Sequence, residues 1–316
     1  MTFWGFVFPG QGAQYPGMGK DFYDRFAVSR EVFEMADDYL KRPFSKEIFE
    51  GSSAELTLTK NSQVAIFITS VAILKAVQQE YPEIKPRVCA GLSLGEYTAL
   101  CAAGVIDFTT CLDLVYWRAL YMHEACEKEK GGMQVVLGLD ESSVAEALQA
   151  AGPTNAAWIA NLNCPGQVVI AGTDQGLSAV TDLLKQKGAK RILPLEVSGA
   201  FHSGLMRSAQ EKLSLRILAA NLHATDVAMV MNVPGGQVNT QDQMRQCLID
   251  QVTRPVRWNQ GILAMSQMGV SQFLEMGPGK TLAGMNKRIG VPQPTLSIEK
   301  VEDLESICRY YEEKKL

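Results

Sequence analysis

Hydrophobic positions along the chain fall into short unbroken runs that alternate with longer stretches repeating every three or four residues. That is the pattern of buried strands interleaved with helices. Residues 3–8 form the first run, ended by Pro9-Gly10-Gln11-Gly12-Ala13-Gln14, and helical periodicity follows over 21–40 and 62–80. Arg87-Val88-Cys89-Ala90, after Pro86, predicts a second buried strand, and residues 94–103, rich in Leu and Ala, a tightly packed helix. Another helix is expected over 108–126. Glu127-Lys128-Glu129-Lys130-Gly131-Gly132, charged and then glycine-rich, marks a boundary.

Beyond it the texture changes. Strands at 133–139, 157–162, 167–171 and 190–197, with helices at 141–151 and 174–187, give the β-α-β-β-α-β order of a ferredoxin-like unit. Roughly 65 residues suffice for a small domain. Residues 131–197 therefore read as a small domain inserted into a larger α/β domain built from 1–130 and 198–316. In its second half, helices are expected at 204–220, 241–251 and 259–268, and short strands at 229–232 and 272–275. Gly277-Pro278-Gly279 turns the chain, and an amphipathic helix over 301–315 closes it.

Composition narrows the class. A chain of 316 residues with 47% hydrophobic and 20% charged residues can bury a substantial core and is of ordinary soluble globular type. A net charge of −4 provides no electrostatic reason to bind nucleic acid or an anionic membrane. The seven cysteines are scattered without a C-x-x-C pair, so reduced thiols, no metal site and a cytoplasmic location are expected. The apolar run at the N-terminus is too short for a signal peptide and lacks a basic region before it. The most hydrophobic helix, 64–77, is interrupted by Thr69, Ser70 and Lys75, and falls short of the ~20 apolar residues of a membrane span.

Gly91-Leu92-Ser93-Leu94-Gly95 fits G-x-S-x-G between a predicted strand and a predicted helix, the setting that exposes a nucleophilic serine on a strained turn. The alternative is a strand–glycine turn–helix connection whose serine only caps. A serine nucleophile needs a base, and the chain has three histidines. His123 lies on the polar side of its helix and His223 in a polar stretch, both read as solvated. His202 follows Val197-Ser198-Gly199-Ala200-Phe201, where the small domain re-enters the large one, and seams between domains are where clefts form; the alternative is a structural histidine. In helix 108–126, Cys111, Val115, Arg118 and Met122 share one stripe flanked by Leu114 and Ala119, opposite Asp113, His123 and Glu124. Arg118 thus sits within the apolar face, where a guanidinium needs an anion. That anion is either a protein carboxylate or a substrate carboxylate gripped by the planar fork. Gly10-x-Gly12 lacks the third glycine of a dinucleotide fingerprint, Tyr15 standing there, and Gly279-Lys280-Thr281 lacks the earlier glycine of a phosphate loop, Leu274 standing there. The tail Glu312-Glu313-Lys314-Lys315 reads as solvated.

With these residues in hand, the chain closely resembles the malonyl-CoA:acyl-carrier-protein transacylases of fatty acid and polyketide synthesis. The similarity runs from Val7 to about Arg288 through Phe8-Pro9-Gly10-Gln11-Gly12, the Ser93 motif with Glu96-Tyr97, and Ala103-Gly104-Val105. It continues through Asn163-x-Pro165-Gly166-Gln167-Val168-Val169-Ile170-Ala171-Gly172, Phe201-His202-Ser203 and Gly277-Pro278-Gly279-Lys280. The resemblance implies an α/β-hydrolase-like domain with a ferredoxin-like insertion. It implies Ser93 as the acylated nucleophile, His202 as its base and Gln251 as the residue whose backbone carbonyl orients that histidine. Gln11 and Leu94 would supply the oxyanion-hole amides, Arg118 would pair with the free malonyl carboxylate, and Gln167 would contact coenzyme A. Phe201 resembles the malonyl-selecting form of its motif, a ring that would crowd an α-methyl group. Leu92 departs from the family, many members having His there, which bears on substrate preference beside the serine.

Malonyl-CoA and acyl carrier protein are the implied partners, with the coenzyme A thioester as substrate, no metal or redox cofactor, and a monomer expected. Because the carrier protein is acidic, a basic rim is expected from Lys185, Lys187, Lys190, Arg191, Lys287 and Arg288, against the alternative of ordinary solvated side chains. Two rivals remain. A serine acyl hydrolase of patatin type would need an Asp-Gly turn, and no Asp-Gly dipeptide occurs. An inactive docking module for carrier proteins would need none of Ser93, His202 and Arg118.

Overall fold

The computed structural model describes residues 2–152 and 156–313. Two sheets organise the described residues. The first has six strands in the order β10-β9-β1-β2-β7-β8: β1 (Trp4–Phe8), β2 (Pro86–Gly91), β7 (Ala228–Met231), β8 (Gly236–Val238), β9 (Gln272–Met276) and β10 (Thr295–Ile298). All neighbours are parallel except β8, which folds back on β7. β1 lies between β2 and β9 and is buried at every position, as the unbroken run of apolar residues requires of a strand covered on both faces.

The second sheet, β4-β5-β3-β6, is antiparallel throughout: β3 (Gly132–Leu137), β4 (Ala157–Cys164), β5 (Gln167–Gly172) and β6 (Arg191–Pro194). With α8 (Glu141–Ala151) and α9 (Asp174–Gln186) it gives the β-α-β-β-α-β order. Asp140 and Thr173 begin these helices as side-chain caps, each accepting a first-turn N–H. This sheet comes wholly from the segment between the two halves of the first.

Helices cover the six-stranded sheet: α1 (Lys20–Arg25), α2 (Ala27–Leu40), α3 (Phe44–Glu50), α4 (Ser53–Thr57), α5 (Thr59–Glu80), α6 (Gly95–Ala102) and α7 (Phe108–Lys128). After the second sheet come a 3-10 turn (Gly204–Met206), then α10 (Arg207–Ala219), α11 (Gln241–Gln251), α12 (Trp258–Gln267), α13 (Thr281–Ile289), a 3-10 turn (Val301–Leu304) and α14 (Glu305–Glu313). Helix α5 is buried almost all round and packs on α2, α6 and α7, as an interior helix without a polar face must.

Several expectations need correction. The helix predicted over 21–40 is two helices, because Phe26 leaves helical geometry (φ −114°, ψ 121°), its buried ring stacking on Phe22. The short α3 and α4, the hairpin strand β8, and α13 and β10 carried no prediction. The predicted helix 204–220 opens with a 3-10 turn, and the closing helix 301–315 is a 3-10 turn followed by α14; Lys314 and Lys315 lie outside the described residues.

The two sheets are stitched together beside α11. Val256 N donates to Ala160 O and Leu162 N to Val256 O, both at 2.8 Å, so β4 pairs with the segment that follows α11.

Candidate active site

Ser93 stands on the turn between β2 and α6 with φ at 51°, a left-handed conformation that a non-glycine residue adopts only under strain. Two glycines make the turn possible. A Cβ on Gly91 would lie 1.9 Å from the Gly95 carbonyl, and one on Gly95 would lie 2.1 Å from Phe8 O. Leu92 N donates to Phe8 O at 3.0 Å, which ties the elbow to the end of β1. Asn232, just past β7 and buried, clamps it from the other side: its Oδ1 accepts Ser93 N at 2.8 Å and its Nδ2 donates to Gly91 O at 2.7 Å.

His202 faces the serine, with Nε2 at 2.8 Å from Ser93 Oγ. Its φ of 56° is also left-handed, a second strained residue at the same site. Nδ1 lies 2.7 Å from the backbone carbonyl of Gln251, an oxygen that only accepts, so Nδ1 carries the proton and Nε2 is left bare toward the hydroxyl. Burial, with the Arg118 charge adding to it, holds the imidazole down to about 4, while the Gln251 hydrogen bond pulls the other way. The histidine is therefore neutral near pH 7, the form in which it accepts a proton.

Arg118 is 1% exposed in the middle of α7, on the apolar face predicted for it. Its Nη2 donates to Ser93 Oγ at 3.0 Å and to Gln251 Oε1 at 2.8 Å, and its Nη1 donates to Gln63 Oε1. The Tyr97 ring lies beneath the guanidinium at 5.5 Å. Among the described residues no Asp or Glu forms an ion pair with it, and its Nε–H is buried without an acceptor. The nearby carboxylate, Glu96, is fully buried on α6 and accepts from Asn232 N at 2.6 Å and Gln251 Nε2 at 2.7 Å. Burial pushes its carboxyl up to about 8, against the pull of the Asn232 amide, the Arg118 charge and the Gln251 amide. Both oxygens nevertheless receive N–H donors, and among the described residues no acceptor faces them that could take a carboxyl proton, so the hydrogen bonding holds the group as a carboxylate.

Ser93, His202 and Arg118 open on a cleft of about 220 Å³ between the two sheets. Gln11 and Ser93 line one side, Asn161, Asn163 and Val169 the other, and Phe201 lies beside His202. Among the described residues the backbone N–H groups of Gln11 and Leu94 have no acceptor, and Leu94 sits at the N-terminus of α6, where amides favour negative charge.

The acyl transferase domain family matches residues 5–311. The chain is 40% identical over 301 residues to the malonyl CoA-acyl carrier protein transacylase of Bacillus subtilis, covering 95% of this chain and 94% of that one. It is 38% identical over 289 residues to the protein of the same name from Escherichia coli K12, covering 92% and 93%. The chain belongs to the malonyl-CoA:acyl-carrier-protein transacylase family. The transacylase from Clostridium perfringens superposes with a TM-score of 0.94 at 35% identity, covering 99% of this chain and 98% of that one. A malonyl-transacylase solved in complex with a type II polyketide acyl-carrier protein superposes at 0.93 and 36% identity, covering 98% and 100%.

Of the residues singled out from the resemblance to the transacylases, Ser93, His202, Gln251 and Arg118 converge within hydrogen-bond distance, and Gln11, Phe201 and Leu92 line the same cleft. Gln167 does not line it; its Oε1 accepts the Cys164 thiol at 3.2 Å at the turn joining β4 to β5. Of the basic residues, Lys185 and Lys187 are already paired with Asp182 and Glu146, whereas Lys287 and Arg288 are exposed at the end of α13, whose Thr281, Leu282 and Met285 line the cleft. His223 is exposed as expected, but His123 is only 17% exposed, its Nε2 3.6 Å from Glu127. Asn232, Gln63 and the role of Glu96 escaped sequence analysis. Gln63, like Arg118, is a polar residue inside an apolar helix, and that signal was available.

Proposed function

We propose that this chain moves the malonyl group from malonyl-CoA to the phosphopantetheine thiol of acyl carrier protein, through a malonyl ester on Ser93. The observation that carries this is Arg118: a buried cation 3.0 Å from the serine hydroxyl and in direct ion pair with no Asp or Glu among the described residues. A carboxylate-ended acyl chain supplies the missing charge, and a neutral acetyl chain does not.

The protons are already placed. Ser93 Oγ accepts from Arg118, so its own hydrogen is free to point at the bare Nε2 of His202. His202 takes that proton as Oγ attacks the thioester carbonyl, and the oxyanion develops against the free amides of Gln11 and Leu94, a term worth about 3 kcal/mol per donor. Coenzyme A leaves with the proton from His202. The carrier-protein thiol then attacks the ester by the reverse route, in ping-pong order. The Gln251 carbonyl takes the place of a triad carboxylate by holding Nδ1–H, and it orients the ring without adding charge. The reaction so written balances without a metal or redox group.

Lys287 and Arg288 supply positive charge at the rim for the anionic coenzyme and carrier, and Gln167, whose Cys164 partner lies beside Arg288, is the candidate outer contact for coenzyme A. All the catalytic groups come from one chain, which is what a monomer requires. The seven cysteines are free thiols, in keeping with a cytoplasmic location. Among the described residues no helix is long and apolar enough to cross a membrane.

Intact-mass measurement after mixing with malonyl-CoA tests the proposal. The expected result is a malonyl adduct that is stable alone, is discharged by holo-carrier protein, and is absent in Ser93→Ala. Immediate release of free malonate would make the chain a hydrolase, and the lack of any adduct would leave a docking module.

A further inference from the structure

Arg118 and Glu96 are both sealed from water, 1% and 0% exposed, yet they form no ion pair. The side-chain amide of Gln251 stands between them. Its Oε1 accepts from Arg118 Nη2 at 2.8 Å, and its Nε2 donates to Glu96 Oε2 at 2.7 Å. The direction of the amide follows from its neighbours. On the Nε2 side lie only acceptors, with Ser93 O at 2.9 Å and Asn232 Oδ1 at 3.2 Å beside the carboxylate. On the Oε1 side lies a cation. Turning the amide would set an NH₂ group against a guanidinium and a carbonyl against a carboxylate.

A direct Glu96–Arg118 pair would satisfy the cation and close its fork to substrate. A counter-charge held one amide away offsets part of the desolvation of both groups and leaves the fork open. We propose that Glu96 is a positioning residue for acyl selection: through the oriented Gln251 amide it holds the Arg118 fork in place, charged and unpaired, for the carboxylate of the incoming acyl group. This rests on the role proposed above for Arg118. Glu96 also holds the backbone of Asn232, whose side chain clamps the serine elbow, so its loss slows acylation in general. Selection between acyl groups separates the positioning role from that general loss.

The test is a double-mutant cycle of Glu96→Gln and Arg118→Ala, with serine acylation and transfer to holo-carrier protein measured from malonyl-CoA and from acetyl-CoA. For Glu96→Gln the malonyl-over-acetyl preference should fall about tenfold to a hundredfold, the worth of one charge-assisted hydrogen bond. The fall should lie mainly in the KM for malonyl-CoA, and the double variant should keep the preference of Arg118→Ala alone. If Glu96→Gln slows both substrates in equal proportion while Arg118→Ala alters preference, the positioning role is overturned and the function stands. Should Arg118→Ala itself leave preference unchanged, the role of Arg118 fails and this inference goes with it. If circular dichroism shows Glu96→Gln unfolded, Gln251→Met carries the same comparison, because it deletes the bridging amide and keeps the backbone carbonyl on His202.

Discussion

Replacing Arg118 with alanine separates acyl recognition from acyl transfer. Among the described residues its guanidinium meets only neutral groups directly, the side chains of Gln63, Gln251 and Ser93 and the Tyr97 ring, so a malonyl carboxylate is the one full counter-charge it would contact. Truncating one partner of a buried, hydrogen-bonded charge pair costs about 2–5 kcal/mol, roughly thirtyfold to several thousandfold in kcat/KM. The cleft is open to solvent at its mouth, which softens the loss, and a fall of about a hundredfold to a thousandfold is expected with malonyl-CoA. Acetyl-CoA meets no counter-charge in either protein, so its rate should hold or rise. The variant also carries an internal control. The Arg118 charge is the second cause, after burial, of the low His202 pKa, so the acid limb of acetyl transfer should move to higher pH. Stopped-flow acylation with both thioesters across pH 4–8 measures all three effects. An unchanged malonyl-to-acetyl ratio would refute the ion pair, whatever happened to the absolute rates.

His202 itself predicts two further pH effects. For the free protein, kcat/KM should fall only as pH drops toward about 4, well below the ordinary histidine value; pairing of malonyl with Arg118 removes part of the cationic field, so the limb in kcat should lie higher. Two coincident limbs near 6.5 would contradict this. Because the folded pKa is depressed, the unfolded chain binds the proton first. Stability is then full above about pH 6.5 and should decline by about 3 kcal/mol as pH falls toward 4, a slope that urea titrations should find missing in His202→Gln. Gly95→Ala should abolish activity and lower Tm sharply, since its Cβ would meet Phe8 O at 2.1 Å; a folded, active variant would show that the elbow relaxes. Asn232→Ala should leave the buried Ser93 N–H and Gly91 O without partners, for about 1–3 kcal/mol each, visible as a lower chemical-denaturation midpoint and slower serine labelling.

What sequence reasoning reached and missed follows from how local each signal is. The Ser93 elbow was legible because its glycines, strand and helix are contiguous. Arg118 was legible because one helix's periodicity places it on an apolar stripe. The ferredoxin-like unit emerged from strands and helices of ordinary length in an unbroken order. α4 opens on a capping box of Ser52 with Glu55, but its five residues are too few to show periodicity. α13 and β10 follow the Gly277-Pro278-Gly279 turn and, at nine and four residues, are too short to carry a clear period. Asn232 and Gln63 act on residues 139 and 55 positions away, contacts that no local pattern encodes.

The stitch between β4 and Val256 has a mechanical consequence. Val256 lies five positions after Gln251, whose carbonyl accepts the His202 Nδ1 hydrogen bond, and the same β4 presents Asn161 and Asn163 to the opposite wall of the cleft. Any motion that drew the two sheets apart would tug on the segment that steers the imidazole. Two backbone hydrogen bonds thus link the gauge of the opening to the orientation of the His202 ring.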